Sequence, residues 1–159
     1  GKSVASALCG VLVAEGRMQL DAPAPVPAWR GADDPRAAIT LRHLLQMRSG
    51  LSWNEDYVDD AVSDVIEMLF GSGQDDVAGY VSGQALVHAP GAEWLYSSGT
   101  TNIMTQIMGN VIGGGEAGFT AALIDDLLRP AGMQETTIRF GDAHTWIGSS
   151  FLYATVATM

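Results

Sequence analysis

The chain carries one lysine against seven arginines, and that lysine, Lys2, stands on the first turn of an apolar helix. A lysine amine can act as a general base only where its surroundings favour the neutral form, and burial at a helix N-terminus acts in that direction. From spacing alone, a frayed terminal lysine is the favoured reading. Tyr96 adds to the case. The segment Pro90-Gly91-Ala92-Glu93-Trp94-Leu95-Tyr96-Ser97-Ser98-Gly99 sets a phenol and two hydroxyls at the corner between an extended stretch and a helix, where side chains are held rigidly. A phenol and an amine side by side can pass a proton to and from a nucleophile. Tyr57, in a polar loop with Trp53, is a further hydroxyl.

Other chemistries find less support. The histidines His43, His88 and His144 are scattered, without the His-Glu-x-x-His spacing of a metal site, and are read as structural. Gly113-Gly114-Gly115 lacks the following Lys-Ser/Thr of a phosphate loop and reads as a helix-helix linker. No Gly-x-Ser-x-Gly elbow occurs. Cys9 is the sole cysteine and lies in the apolar run Ala7-Leu8-Cys9-Gly10-Val11-Leu12, so it reads as a small hydrophobe. No intrachain disulfide, metal site or cofactor is expected.

The elements that must position these groups are helical. Ser3 to Ala14 repeats Val4, Ala7, Leu8, Val11 and Leu12 at helical spacing, with Gly16 as C-terminal cap. Nothing caps its start, as though a first turn had been cut away. Pro23 to Pro27 predicts an extended surface connection. Thr40 caps a second helix with a buried stripe of Leu41, Leu44, Leu45 and Met47, ending at Ser49-Gly50. After the loop Ser52 to Asp60, a third helix turns Val62, Val65, Ile66, Leu69 and Phe70 to the core. Asp76 to Leu86 reads as a short helix, Pro90-Gly91 as a turn. Ser98 can cap a helix burying Ile103, Met104, Ile107, Met108 and Val111. Phe119 to Leu128 is the last helix, and Thr136 to Phe140 alternates like a strand. Five or six helices with little strand suit the helical layer of a larger α+β protein.

Length and composition set the outer bounds. The 159 residues, 47% apolar and 16% charged, describe one ordered domain. The net charge of -10, spread through Asp33-Asp34, Asp59-Asp60, Asp75-Asp76 and Asp125-Asp126, repels nucleic acid and anionic lipid. No apolar stretch reaches the twenty residues of a membrane span. The start shows no secretory signal, and no compartment is assigned.

Taken in order, these segments resemble the penicillin-recognising serine hydrolases: class C β-lactamases, esterases, DD-peptidases and 6-aminohexanoate-oligomer hydrolases. Pro-Gly, an aromatic and Tyr96-Ser97-Ser98 before an apolar helix resemble the second motif, Tyr-x-Asn or Tyr-Ser-Ser. Lys2-Ser3-Val4 and the helix ending Ala14-Glu15-Gly16 are similar to the end of Ser-x-x-Lys and its helix. Leu20-Asp21, Ile39-Thr40-Leu41-Arg42-His43-Leu44-Leu45, Ser49-Gly50-Leu51 and Arg129-Pro130-Ala131-Gly132-Met133 follow the family's order. Asn54-Glu55-Asp56-Tyr57-Val58-Asp59 resembles the loop of 6-aminohexanoate-oligomer hydrolases, in which a tyrosine helps hold the amide substrate.

The resemblance implies an acyl-enzyme mechanism with Lys2 and Tyr96 catalytic and Ser98 and Tyr57 binding substrate. Ser98 stands where the family usually has asparagine. The nucleophilic serine is expected three positions before Lys2, the third motif beyond Met159, and Gly148-Ser149-Ser150 with Ala154-Thr155 as the lead-in to another helix. The expected fold is mainly α, the helical subdomain of an α+β β-lactamase-like domain that draws most of its antiparallel sheet from elsewhere. The substrate would be a small amide, ester or β-lactam, and the piece alone would be inert. Uncovered helix faces imply self-association or a complementary chain segment. Two other readings stay open: a helical binding or assembly module, and a penicillin-binding homologue that has lost activity.

Overall fold

A computed structural model describes residues 1–31, 33–57, 62–133 and 135–155. The chain is mostly helical, as expected. Its α-helices are α1 (Lys2–Ala14), α2 (Leu41–Leu45), α3 (Asp64–Phe70), α4 (Val77–Ser82), α5 (Ser98–Ile112) and α6 (Gly115–Ala122). A π-helical stretch, Leu123–Leu128, continues α6. Two short strands, β1 (Thr136–Ile138) and β2 (Leu152–Ala154), pair antiparallel with Thr137 opposite Tyr153.

α5 is the axis of the molecule: α1, α2, α3, α4 and α6 all pack on it. Its residues from Ser98 to Thr105 are buried without a break, so its polar side chains need partners inside. They have them. Thr105 Oγ1 donates to the Trp146 carbonyl at 2.6 Å. Asn102 accepts from the Ser149 N–H at 3.2 Å and turns its amide toward Met68 Sδ at 3.3 Å. Thr100 Oγ1 lies 3.1 Å from Met47 Sδ. The rest of the core is apolar, with Trp29, Trp146, Leu8, Leu44, Met68, Ile103 and Met108 fully enclosed.

Several expectations shift by a residue or by a face. α1 ends as predicted, with Gly16 at φ +72° and the Arg17 N–H returning to the Leu12 carbonyl. Ser97, not Ser98, caps α5: its hydroxyl accepts from the Thr100 N–H at 3.2 Å. Ser98 is thereby the first helical residue. α2 stops at Leu45, and Met47 follows in the left-handed region at φ +57° rather than on a helical stripe. α3 buries Val65 and Met68, while Val62, Ile66 and Phe70 are exposed. The proline-rich segment is not a surface strap. Ala24 and Val26 are buried, and Pro27–Trp29 forms a 3-10 turn that drives Trp29 inward, its indole N–H donating to the Ser82 carbonyl at 2.8 Å. Residues 148–150 form a turn leading into β2, where a helix lead-in was expected.

Candidate active site

Lys2 is placed by α1 and Tyr96 by the irregular segment that precedes α5. They are far apart in sequence, yet the Lys2 ammonium sits 5.0 Å from the centroid of the Tyr96 ring. A cation over an aromatic face is attracted by the ring's quadrupole. The ammonium also donates to the Ser149 carbonyl at 2.9 Å. That carbonyl is held in turn, because Asn102 of α5 accepts from the same residue's N–H. α5 thus positions Lys2 through the 149 turn and Tyr96 through its own start. The pair lines a cleft of about 460 Å3 with Ser3, Ser6, Met47 and Thr101. A wider groove of about 600 Å3 between Glu116 and Arg129 shares no lining residue with it.

The segment entering α5 is fixed from behind. Gly91 takes φ +81° in the Pro90-Gly91 turn, a conformation that glycine adopts without penalty. Its N–H donates to the Arg48 carbonyl at 2.8 Å, and the Leu95 N–H donates to the Met47 carbonyl at 2.9 Å. Met47 holds that carbonyl in place from a backbone conformation that non-glycine residues seldom adopt. Met47 also lines the same cleft.

Ser98 and Tyr57 meet at a third side chain that the sequence reading passed over, Glu55. Its carboxylate accepts from Trp53 Nε1 at 2.5 Å and from the Ser98 N–H at 2.8 Å, both on Oε2. On Oε1 it accepts from Ser98 Oγ at 2.5 Å and, at a longer 3.4 Å, from the Tyr57 hydroxyl. A carboxylate over the first turn of a fifteen-residue helix is also favoured by the helix dipole. Ser98 is only 1% exposed, so its hydroxyl works from beneath, whereas Tyr57 is 62% exposed. Loss of water around the phenol and the adjacent Glu55 charge raise the Tyr57 pKa above its ordinary value, so the group stays protonated. Val58 and Asp59, counted with this loop on sequence grounds, lie outside the described residues.

The remaining candidates are occupied elsewhere. His43 closes a capping box with Thr40 at the start of α2, and His144 faces Glu116 at 2.7 Å on the surface. Cys9 is fully buried, and burial pushes its thiol pKa up, away from the reactive thiolate. Among the described residues no group of three or more His, Cys, Asp or Glu side chains is placed to hold a metal ion, and no single helix is long and apolar enough to cross a membrane.

Comparison with known proteins extends over nearly the whole chain. The β-lactamase family model matches residues 1–145. A putative 6-aminohexanoate-dimer hydrolase from Bacillus anthracis superposes with a TM-score of 0.75 at 16% identity, over 99% of this chain and 43% of its own. A penicillin-binding protein from Bacillus halodurans superposes with a TM-score of 0.60 at 18% identity, over 87% of this chain and 40% of its own. The chain therefore spans less than half the length of either structure, and the likeness to both is one of fold. No curated protein sequence matches significantly. The helices gathered on α5, with Lys2 and Tyr96 brought to one cleft, are those of the helical part of a β-lactamase-like fold, and the chain belongs to the β-lactamase family.

Proposed function

We propose that this segment is the helical part of a serine hydrolase that cleaves an amide or ester through an acyl-enzyme. The observation that carries the reading is the Lys2 ammonium over the Tyr96 ring at the mouth of a cleft. In the proposed mechanism the nucleophile is a serine three positions before Lys2, which α1 extended by one turn would place on the same helix face. Lys2 and Tyr96 move its proton as it attacks the carbonyl, then return a proton to the leaving group. Tyr57 contacts the substrate from the loop above α5, and Ser98 supports that wall through Glu55. The complete catalytic domain is proposed to include this helical part together with sequence outside it.

Labelling tests the reading directly. In the full-length protein a fluorophosphonate should label one serine, three residues before Lys2, and a labelled penicillin or chromogenic ester should compete. The 159 residues alone should remain unlabelled. A label on any serine within the chain, or none in the full-length protein, removes the proposal. The second outcome would leave a binding module or an inactive homologue.

A further inference from the structure

A lysine that moves a proton must offer its nitrogen in a fixed direction. Among the described residues the Lys2 ammonium has one hydrogen-bond acceptor, the Ser149 carbonyl at 2.9 Å. A carbonyl has no proton to give, so it accepts from the lysine whether the nitrogen is an ammonium or a neutral amine. It can therefore serve as a pivot through both halves of a proton transfer. With one N–H held on that oxygen, the other tetrahedral directions of the nitrogen, its lone pair among them, are confined to a cone about the N–O line. Where the carbonyl sits decides where the lone pair can point.

The carbonyl is held by a two-point clamp on α5. Asn102 and Thr105 stand three positions apart on one helix face, and both are buried. Thr105 Oγ1 lies 2.6 Å from the Trp146 carbonyl and 3.0 Å from that of Asn102, so its single proton favours the turn. Asn102 Oδ1 accepts from the Ser149 N–H at 3.2 Å. That amide cannot flip without loss, because its other side faces Met68 Sδ, which only accepts, while the Ser149 N–H only donates. Between the two points the backbone lies against the helix. A Cβ built on Gly148 would fall 2.5 Å from Thr105 Cγ2 and 3.2 Å from the Trp146 ring. The Ser150 N–H, in the same peptide unit as the Ser149 carbonyl, donates to the Ile147 carbonyl at 3.2 Å.

We propose that Asn102 and Thr105 are positioning residues for proton transfer, which through the 146–149 turn set the Ser149 carbonyl as the pivot that aims the Lys2 amine. The proposal rests on the serine-hydrolase reading above. Neither side chain lines the cleft, so neither touches substrate, and their effect reaches the chemistry only through Lys2.

The test is made in the full-length protein with a chromogenic ester. Asn102→Leu removes the acceptor for the Ser149 N–H and keeps a side chain of similar size. Thr105→Val removes the hydroxyl and keeps the shape, and Thr105→Ser restores the hydroxyl. In Asn102→Leu and in Thr105→Val, kcat should fall about tenfold with KM unchanged, the scale of a displacement of part of an ångström at the reacting group. Thr105→Ser should recover most of the loss. Placed on Lys2→Ala, either substitution should lower the rate no further, because the group it aims is gone.

A merely structural role would lower the rate on the Lys2→Ala background by the same factor as on the wild type. A further loss of more than about threefold on that background overturns the proposal, as does a near-normal kcat in a folded Asn102→Leu protein. Should Asn102→Leu fail to fold, Thr105→Val and Thr105→Ser decide by the same criteria. Fluorophosphonate labelling separates the two levels. A wild-type protein that labels while the variants behave additively removes only the positioning role, whereas no labelling of the full-length protein removes the hydrolase reading and this one with it.

Discussion

An ammonium group beside a phenol ring is a common surface contact, and what distinguishes Lys2 is how firmly it is held. Among the described residues its three protons have one hydrogen-bond acceptor, the Ser149 carbonyl at 2.9 Å. In the full-length protein, Lys2→Ala and Tyr96→Phe should each reduce kcat for a chromogenic ester on the order of a hundredfold, the usual scale for losing a proton-transfer group. Near-normal turnover in both would dismiss the relay. The lysine and the tyrosine were legible in the sequence because each stands in an unusual setting, one as the single lysine and the other after a Pro-Gly turn. Glu55 was not. It is one acid among eighteen acidic residues, and only its partner Ser98, 43 positions away, reveals its role. Ser98 itself was read as reaching toward substrate, and its near-complete burial follows from that same contact.

Helix existence was readable from periodicity, whereas helix faces were less so. α1 and α5 have the length for one face to stand out. In the seven residues of α3 both faces are apolar, since Val65 and Met68 oppose Ile66 and Phe70. A 3.6-residue period cannot choose between them. The choice is made by α4 and α5, on which α3 packs. β2, Leu152–Ala154, gave no signal in the sequence. The start of α5 is the most demanding junction. A Cβ built on Gly99 would lie 2.7 Å from the Val81 methyls and 2.8 Å from the Trp53 ring. Gly99→Ala should therefore destabilise the fold by roughly 1–3 kcal/mol, the usual range for overpacking. Because Trp53 also holds Glu55, it should disturb the site as well. Chemical denaturation measures the first effect, and an unchanged midpoint would show that α4 yields freely.

At the scale of the whole molecule, an acidic surface and uncovered apolar side chains pull in opposite directions. Phe70, Ile66 and Val62 stand out from the α3 region, and Trp94 and Leu95 from the approach to α5. Exposed apolar groups favour association, while a formal charge of -10 opposes it until salt screens the repulsion. The isolated 159 residues should associate increasingly as salt is raised, with Phe70→Asp weakening the effect. Sedimentation velocity at low and high ionic strength checks this, and a monomer throughout would show that these side chains attract nothing. The sequence carried the acidity plainly, but which apolar groups remained outside depended on how α3 turned.

The hydrogen bond from Lys2 to Ser149 spans 147 positions, and the Glu55 clamp on Ser98 spans 43. Neither of these two contacts closes locally. Loop-closure entropy must be met before such contacts form, so no short peptide from this chain can preorganise the cleft. During refolding the helical signal should recover first. The geometry around Lys2 should follow only when the residue-149 turn has docked on α5, which makes the cleft a late reporter of the completed fold.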